Sequence, residues 1–214
     1  MANRPEFFII AGPNGAGKST GGHRLIPSSI SIFNGDLVLE TLVQRYPHIE
    51  KERLHGGVAS ALEKERDLAL STKTGFAFES NYSTDMASEI SGEFREAGYK
   101  TILIYFGLDS LKSSVSRVQS RVNIGGHYVK SDVIRYNFEQ AIVRVNNDLH
   151  LFDEVYFVDT RNQNIQIITL VEKKSHSLSH TGENIPWYNS QFKSTVNKLG
   201  FSPKTVQQIK PPRK

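Results

Sequence analysis

The sequence predicts an α/β protein built on a mainly parallel sheet of about five to six strands, with helices on both faces. Two observations carry that reading. Short apolar runs alternate along the chain with helix-like stretches, which is the pattern of a parallel sheet wrapped by helices. A glycine-rich segment, Gly12-Pro-Asn-Gly-Ala-Gly-Lys-Ser19, follows the first apolar run and precedes a stretch able to start a helix. It matches G-x-x-x-x-G-K-[ST], a phosphate-binding loop, in the strand–loop–helix context that the motif requires.

The strands are read in order as Glu6–Ala11, Ser31–Asn34, Phe76–Ser80, Thr101–Gly107, Glu154–Asp159 and Ile165–Leu170. Each is a β-branched or aromatic run of strand length. The last follows the short polar turn at residues 160–163 and is expected as an antiparallel edge strand.

Helices are expected between them. Lys18 to Ile26 opens one. Ile49 to Ser71 places Leu54, Val58, Ala61, Leu62, Leu68 and Ala69 on one stripe. Thr84 to Gly98 turns Met86, Ile90, Phe94 and Ala97 inward and stops at a C′ glycine. Leu111 to Val122 follows the capping residue Ser110. Ser131 is read as the cap of a helix carrying Ile134, Phe138, Ala141, Ile142, Val145 and Leu149. Residues 173–184 read as a polar loop. Trp187, Gln191, Phe192, Thr195, Val196 and Leu199 then form an amphipathic helix packed on the body. The expected organisation is a domain over residues 1–172 with a helical lid around 110–140, an appended loop and helix over 173–201, and a fraying basic tail over 202–214.

A chain of 214 residues can bury a core without staples, and it has no cysteine, which removes disulfides, thiolate metal ligands and a thiol nucleophile. The apolar run near the N-terminus has five residues, too short for a signal-peptide core or a membrane span. The expected setting is cytoplasmic, with no membrane partner. The net charge of +4 suits the handling of polyanionic nucleotides. The same charge is compatible with nucleic-acid binding, but the basic residues are dispersed apart from Lys210-Pro-Pro-Arg-Lys214, a run read as a solvated tail, so a nucleic-acid partner is disfavoured without being excluded.

The loop fixes the donor chemistry. Gly12, Gly15 and Gly17 allow positive φ and close backbone approach. Backbone N–H groups of Asn14 and Ala16 join those of the glycines in a nest for phosphate, with Pro13 as a further residue of the loop. Lys18 is expected to reach the β- and γ-phosphates, Ser19 to ligate Mg²⁺, and Thr20 to contact the α-phosphate. The implied cofactors are ATP or another nucleoside triphosphate, and Mg²⁺.

Phosphoryl transfer also needs a group that orients the acceptor and compensation of developing charge. Sites in open parallel sheets lie at the carboxyl ends of strands. Asp36, after the second strand, is a candidate base or, alternatively, a helix cap. Glu79, at the end of the third strand, is a candidate for Mg²⁺ or acceptor binding, or a structural ion pair. Asn81 is an acceptor contact or a turn residue. Arg117 and Arg121, spaced i, i+4, can clamp phosphate from one helix face. Gly125-Gly126-His127 and a second helix bearing Arg135 follow, the layout of a lid. His127 and Arg135 are candidate substrate contacts.

These residues together resemble the zeta-toxin-like P-loop kinases. The resemblance rests on Ile10 to Thr20, Asn34-Gly-Asp36, Phe76-Ala-Phe-Glu-Ser80, Gly98-Tyr99, Arg117-Val…Arg121-Val122, Gly125-Gly-His127 and Ile134-Arg-Tyr136, in order over about residues 6–160. It implies a three-layer P-loop kinase-like fold and an ATP- and Mg²⁺-dependent kinase. The best-known toxins of the group phosphorylate a UDP-amino-sugar. It implies that Lys18 and Ser19 bind phosphate and Mg²⁺, that Asp36 is the base, that Glu79 sits in the acceptor site, and that Arg117 and Arg121 compensate charge. An antitoxin protein is an implied partner, and a nucleotide sugar an implied small-molecule acceptor. The family's usual Glu-Thr-Thr is Glu79-Ser80-Asn81 here, which points to different acceptor contacts, and its Asn-Ala-Asp is Asn34-Gly35-Asp36, which keeps the acid. A polynucleotide or nucleoside kinase and a non-kinase ATPase module are the competing readings.

Overall fold

The computed structural model describes residues 4–126, 128–161 and 164–212. One eight-stranded sheet runs through it in the order β2-β3-β1-β4-β5-β6-β7-β8. The strands are β1 Glu6–Ala11, β2 Ile32–Phe33, β3 Phe76–Ser80, β4 Lys100–Phe106, β5 Glu154–Asp159, β6 Gln166–Glu172, β7 Ser177–His180 and β8 Ser202–Thr205. Neighbours β2 to β5 and β7–β8 pair parallel, and only β6 runs against the rest.

β1 lies between β3 and β4, in register Ile9↔Phe78 and Ile9↔Leu103. Its alternation sends Phe7, Ile9 and Ala11 into one core and Phe8 and Ile10 into the other. Both faces are therefore buried, as a central parallel strand requires. Phe7 stacks on Phe94 at 4.2 Å between ring centroids, which ties the strand to a flanking helix. The segment after Ala11 thus leaves a rigid base.

The helices are α1 Lys18–Gly21, α2 Gly35–Arg45, α3 Lys51–Thr72, α4 Met86–Glu96, α5 Leu111–Asn123, α6 Ser131–Asp148, α7 Pro186–Gln191 and α8 Lys193–Asn197. They cover both faces of the sheet. α1 is one turn and tightens into a 3-10 turn over Gly22–Arg24, shorter than the helix expected to Ile26. Its two closing glycines pack against the sheet: a Cβ on Gly22 would lie 3.1 Å from the Ile10 side chain.

Several expectations change. Ser110 caps α5, accepting from Ser113 N, but Ser131 is the first residue of α6 and Lys130 holds the cap position without a side-chain bond. Met86 and Leu68 are exposed rather than inward. Leu68 neighbours the buried Ala69, so it sits about 100° round the helix from the inward line. Residues 173–184 are not a plain loop, because β7 pairs with β6 and removes it from the sheet edge. The expected fraying after residue 202 is replaced by β8 on β7, and Ile209 packs into the second core. Ser177-Leu-Ser-His180 and Ser202-Pro-Lys-Thr205 lack the apolar alternation that marks a strand; backbone pairing at a sheet edge holds them. No described helix is long and apolar enough to cross a membrane.

Candidate active site

The segment from Gly12 to Gly17 turns sharply at the end of β1. Gly12, Gly15 and Gly17 have φ of 140°, 77° and 91°. A Cβ on Gly12 would lie 2.2 Å from the Phe106 carbonyl oxygen, so only glycine fits there.

Three elements pin this loop through its polar atoms. Ser114 Oγ on α5 donates to Asn14 O at 2.6 Å. Asn137 Nδ2 on α6 donates to Asn14 Oδ1 at 2.8 Å, and Asn137 Oδ1 accepts from Ser83 Oγ at 2.7 Å. Thr160 Oγ1, after β5, donates to Ala16 O at 3.0 Å. A loop so braced is preorganised for an anion rather than shaped by it.

Lys18 is 7% exposed, and its ammonium makes three bonds: to Gly12 O at 2.6 Å, Pro13 O at 3.1 Å and Asn81 Oδ1 at 3.0 Å. Burial pushes its pKa down to about 8; Glu79 and Asp36 oppose that shift and Arg121 adds to it. Glu79 accepts from Ser19 Oγ at 2.9 Å through one oxygen and from Asn34 Nδ2 at 3.0 Å through the other. Burial raises its carboxyl above the ordinary range, with Lys18 and then Ser19 opposing.

Asp36 does not cap a helix. Asn34 takes that role, its Oδ1 accepting from Asp36 N at 3.0 Å and Leu37 N at 3.2 Å. The Asp36 carboxylate stands in the first turn of α2, exposed and facing the loop's cavity.

Arg117 donates from Nη1 to Thr160 Oγ1 at 3.1 Å and from Nη2 to Thr160 O at 3.2 Å. Arg121, one turn on, lines the same cavity. Gly126 N donates to Arg121 O at 2.9 Å, so the turn between α5 and α6 folds back on this residue.

Two cavities meet here. One, of about 260 Å³, is walled by the loop from Asn14 to Thr20 together with Arg117 and Arg121. The other, of about 200 Å³, lies between α2, α3 and the end of β3, against Asn34, Leu39, His55, Val58 and Ser80. Lys18, Asp36, Glu79 and Asn81 line both. The structure thus brings together Asn14 to Thr20, Asp36, Glu79, Asn81, Arg117 and Arg121. Gly12 and Pro13 contribute carbonyls beneath Lys18 instead of cavity wall. Arg135 is not brought in: it follows the buried Ile134, so it points outward and is exposed. His127 lies outside the described residues.

Sequence reasoning missed Asn34, Ser114, Asn137, Thr160 and His55. Asn34 carried a signal, an Asn at the start of a helix. Thr160 carried another, a polar residue at the carboxyl end of a strand. Ser114, Asn137 and His55 carried none, because their partners are distant in sequence.

Oxygen donors at Ser19 and Glu79 suit Mg²⁺, which is held by one or two protein oxygens plus substrate phosphates. The residues present therefore fit that ion.

No protein-family model matches the chain. An uncharacterised protein of Haemophilus influenzae is 24% identical over 143 residues, covering 64% of this chain and 94% of that protein. A chain of the AvrRxo1-ORF1:AvrRxo1-ORF2 complex with sulphate ions superposes with a TM-score of 0.66 at 15% identity, over 88% of this chain and 63% of that one. The same complex with ATP gives 0.60 at 15% identity, over 80% and 59%. A chain from the PezAT chromosomal toxin–antitoxin system of Streptococcus pneumoniae gives 0.54 at 15% identity, over 77% and 70%. At these identities the likeness establishes the fold: this chain has the three-layer P-loop kinase-like α/β fold.

Proposed function

We propose that this chain is a zeta-toxin-like kinase that transfers the γ-phosphate of ATP to a hydroxyl of a small molecule. The observation that carries the reading is the meeting of two cavities at Lys18, Asp36, Glu79 and Asn81. One is walled by phosphate-binding groups and two arginines. The other has apolar and polar walls of mixed type and is open to a different ligand. A carboxylate at their junction is where an acceptor hydroxyl meets a phosphoryl group.

In this reading Asp36 takes the hydroxyl proton as the acceptor oxygen bonds to the γ-phosphorus. The bond from that phosphorus to the bridging oxygen breaks, and ADP leaves. Lys18, Arg117 and Arg121 stabilise charge on the phosphoryl oxygens. Ser19 would hold Mg²⁺ directly and Glu79 through water, and the ion would supply neutralisation of phosphate charge. The AvrRxo1 complex structure with ATP supports the donor assignment by fold likeness. The resemblance to zeta toxins makes a UDP-amino-sugar the first acceptor to try. The likeness to a toxin–antitoxin system supports an antitoxin-type protein partner in the cytoplasm. The body over residues 1–172 supplies the site, with α5 and α6 as its lid.

The test is incubation with γ-labelled ATP and a panel of UDP-sugars, nucleosides and oligonucleotides, with Lys18→Ala as control. Label on a small-molecule hydroxyl, lost in Lys18→Ala, is the expected result. Label only on oligonucleotide ends moves the assignment to a polynucleotide kinase, and release of phosphate without transfer to an ATPase.

A further inference from the structure

A third cavity, of about 390 Å³, lies beside the N-terminal half of α5. Leu108, Asp109, Ser113, Ser116, Arg117 and Arg161 are among its walls, and Arg117 is shared with the phosphate cavity. The space beyond Arg117 is therefore available to the nucleoside end of a triphosphate seated on the loop.

Arg161 is held in an unusual way. Its Nε donates to both oxygens of Asp159 at 3.0 Å, and Nη1 lies 3.9 Å from Asp109 Oδ1. Asp159 is 5% exposed, a carboxylate that must be paired to be tolerated. Its second partner is Trp187, whose indole N–H donates to Asp159 Oδ1 at 2.8 Å. Trp187 belongs to the C-terminal segment, is 1% exposed, and lies so close to Gly107 that a Cβ there would stand 2.3 Å from the ring. Packing alone would be served by an apolar side chain at position 159. The buried carboxylate instead fixes the plane of a guanidinium that borders a cavity.

We propose that Trp187 and Asp159 are positioning residues for the donor nucleotide, acting through Arg161, against which the nucleoside part of the triphosphate rests. The guanidinium is planar and stacks on aromatic faces, so its orientation decides whether a base can lie on it. The C-terminal segment thereby becomes part of the nucleotide site. This inference rests on the reading of Gly12–Ser19 as a triphosphate loop.

The experiment compares binding of Mg-ATP and Mg-tripolyphosphate to the full chain by calorimetry. Tripolyphosphate reads the loop alone, whereas ATP reads the loop and the nucleoside cavity. Trp187→Phe keeps an aromatic ring and removes the N–H. It is expected to weaken ATP about tenfold, the worth of one hydrogen bond to a charged group, and leave tripolyphosphate unchanged. Arg161→Ala, outside the core, is expected to give the same split and carries the test if Trp187→Phe does not fold. Equal weakening of both ligands, or unaltered ATP binding, overturns the relay. Wild-type protein that binds neither ligand overturns the loop reading itself, and the relay with it.

Discussion

The Ser19 hydroxyl donates to Glu79 Oε1 at 2.9 Å, across 60 residues of sequence. Asn34 Nδ2 occupies the other carboxylate oxygen at 3.0 Å. Glu79 is thereby aimed at the residue expected to ligate Mg²⁺. Replacing it with Gln keeps the shape but leaves one oxygen where there were two, so either Ser19 or Asn34 loses its acceptor. We expect Glu79→Gln to weaken Mg²⁺ about tenfold to a hundredfold, as loss of an outer-sphere carboxylate does. Initial rates titrated against Mg²⁺ check this. An unchanged Mg²⁺ midpoint would make Glu79 an acceptor contact or a structural partner only.

The pKa of Lys18, lowered to about 8 by burial, gives nucleotide binding a pH signature. Phosphate favours the ammonium form, so the bound state has a higher lysine pKa than the free one. Below pH 8 both states are protonated and binding takes up no proton. Above pH 8 the free protein must gain one, and affinity falls toward tenfold per pH unit. Calorimetry in two buffers of different ionisation enthalpy is expected to show near-zero uptake at pH 7 and uptake approaching one proton at pH 9. Lys18→Met should abolish the difference. Equal proton uptake at both pH values would show that Lys18 does not face the phosphates.

Legibility in the sequence followed the range of the interactions. β1, β3 and β5 were readable because their runs are apolar on both faces. β7 and β8 were not, because edge pairing is a backbone property that Ser177-Leu-Ser-His180 does not advertise. In the site, the loop was legible as a local motif, and Asp36 and Glu79 from their places at strand ends. What stayed hidden was mutual bracing: Asn14 with Asn137 spans 123 residues, and Arg117 with Thr160 spans 43. Arg135 shows the converse case. Its place on the helix after a suggestive turn made it a candidate, and the helical line through Ile134, Phe138 and Ala141 leaves it exposed and outside the cavities.

Asn34 also settles how Asp36 can be tested. Because Asn34 caps α2, Asp36→Asn removes a charge without removing the cap. Loss of a first-turn acid costs about 0.3–1 kcal/mol, so the melting temperature should change little. ATP binding should persist, since the carboxylate repels phosphate if anything. Transfer to the acceptor is expected to drop about 10²–10⁴-fold if Asp36 is the base. Single-turnover transfer measured beside ATP affinity separates the effects. A loss under about tenfold would leave Asp36 outside the proton-transfer step.

Arg117 and Arg121 share a face of α5, and the bonds of Arg117 to Thr160 predict different variants. Arg117 is tied through Thr160 to the carbonyl of Ala16, so it braces the loop as well as lining the cavity. Arg117→Ala should weaken ATP binding, lower the rate and lower the melting temperature together. Arg121 lines the cavity beyond that brace, beside Asp36 and Glu79. Arg121→Ala should leave ATP affinity near wild type and reduce turnover about 10²–10³-fold, the cost of one donor aimed at transition-state charge. A KM-against-kcat comparison of the two variants decides it. If both leave the rate untouched, α5 contributes no charge to transfer and serves only to pack the loop.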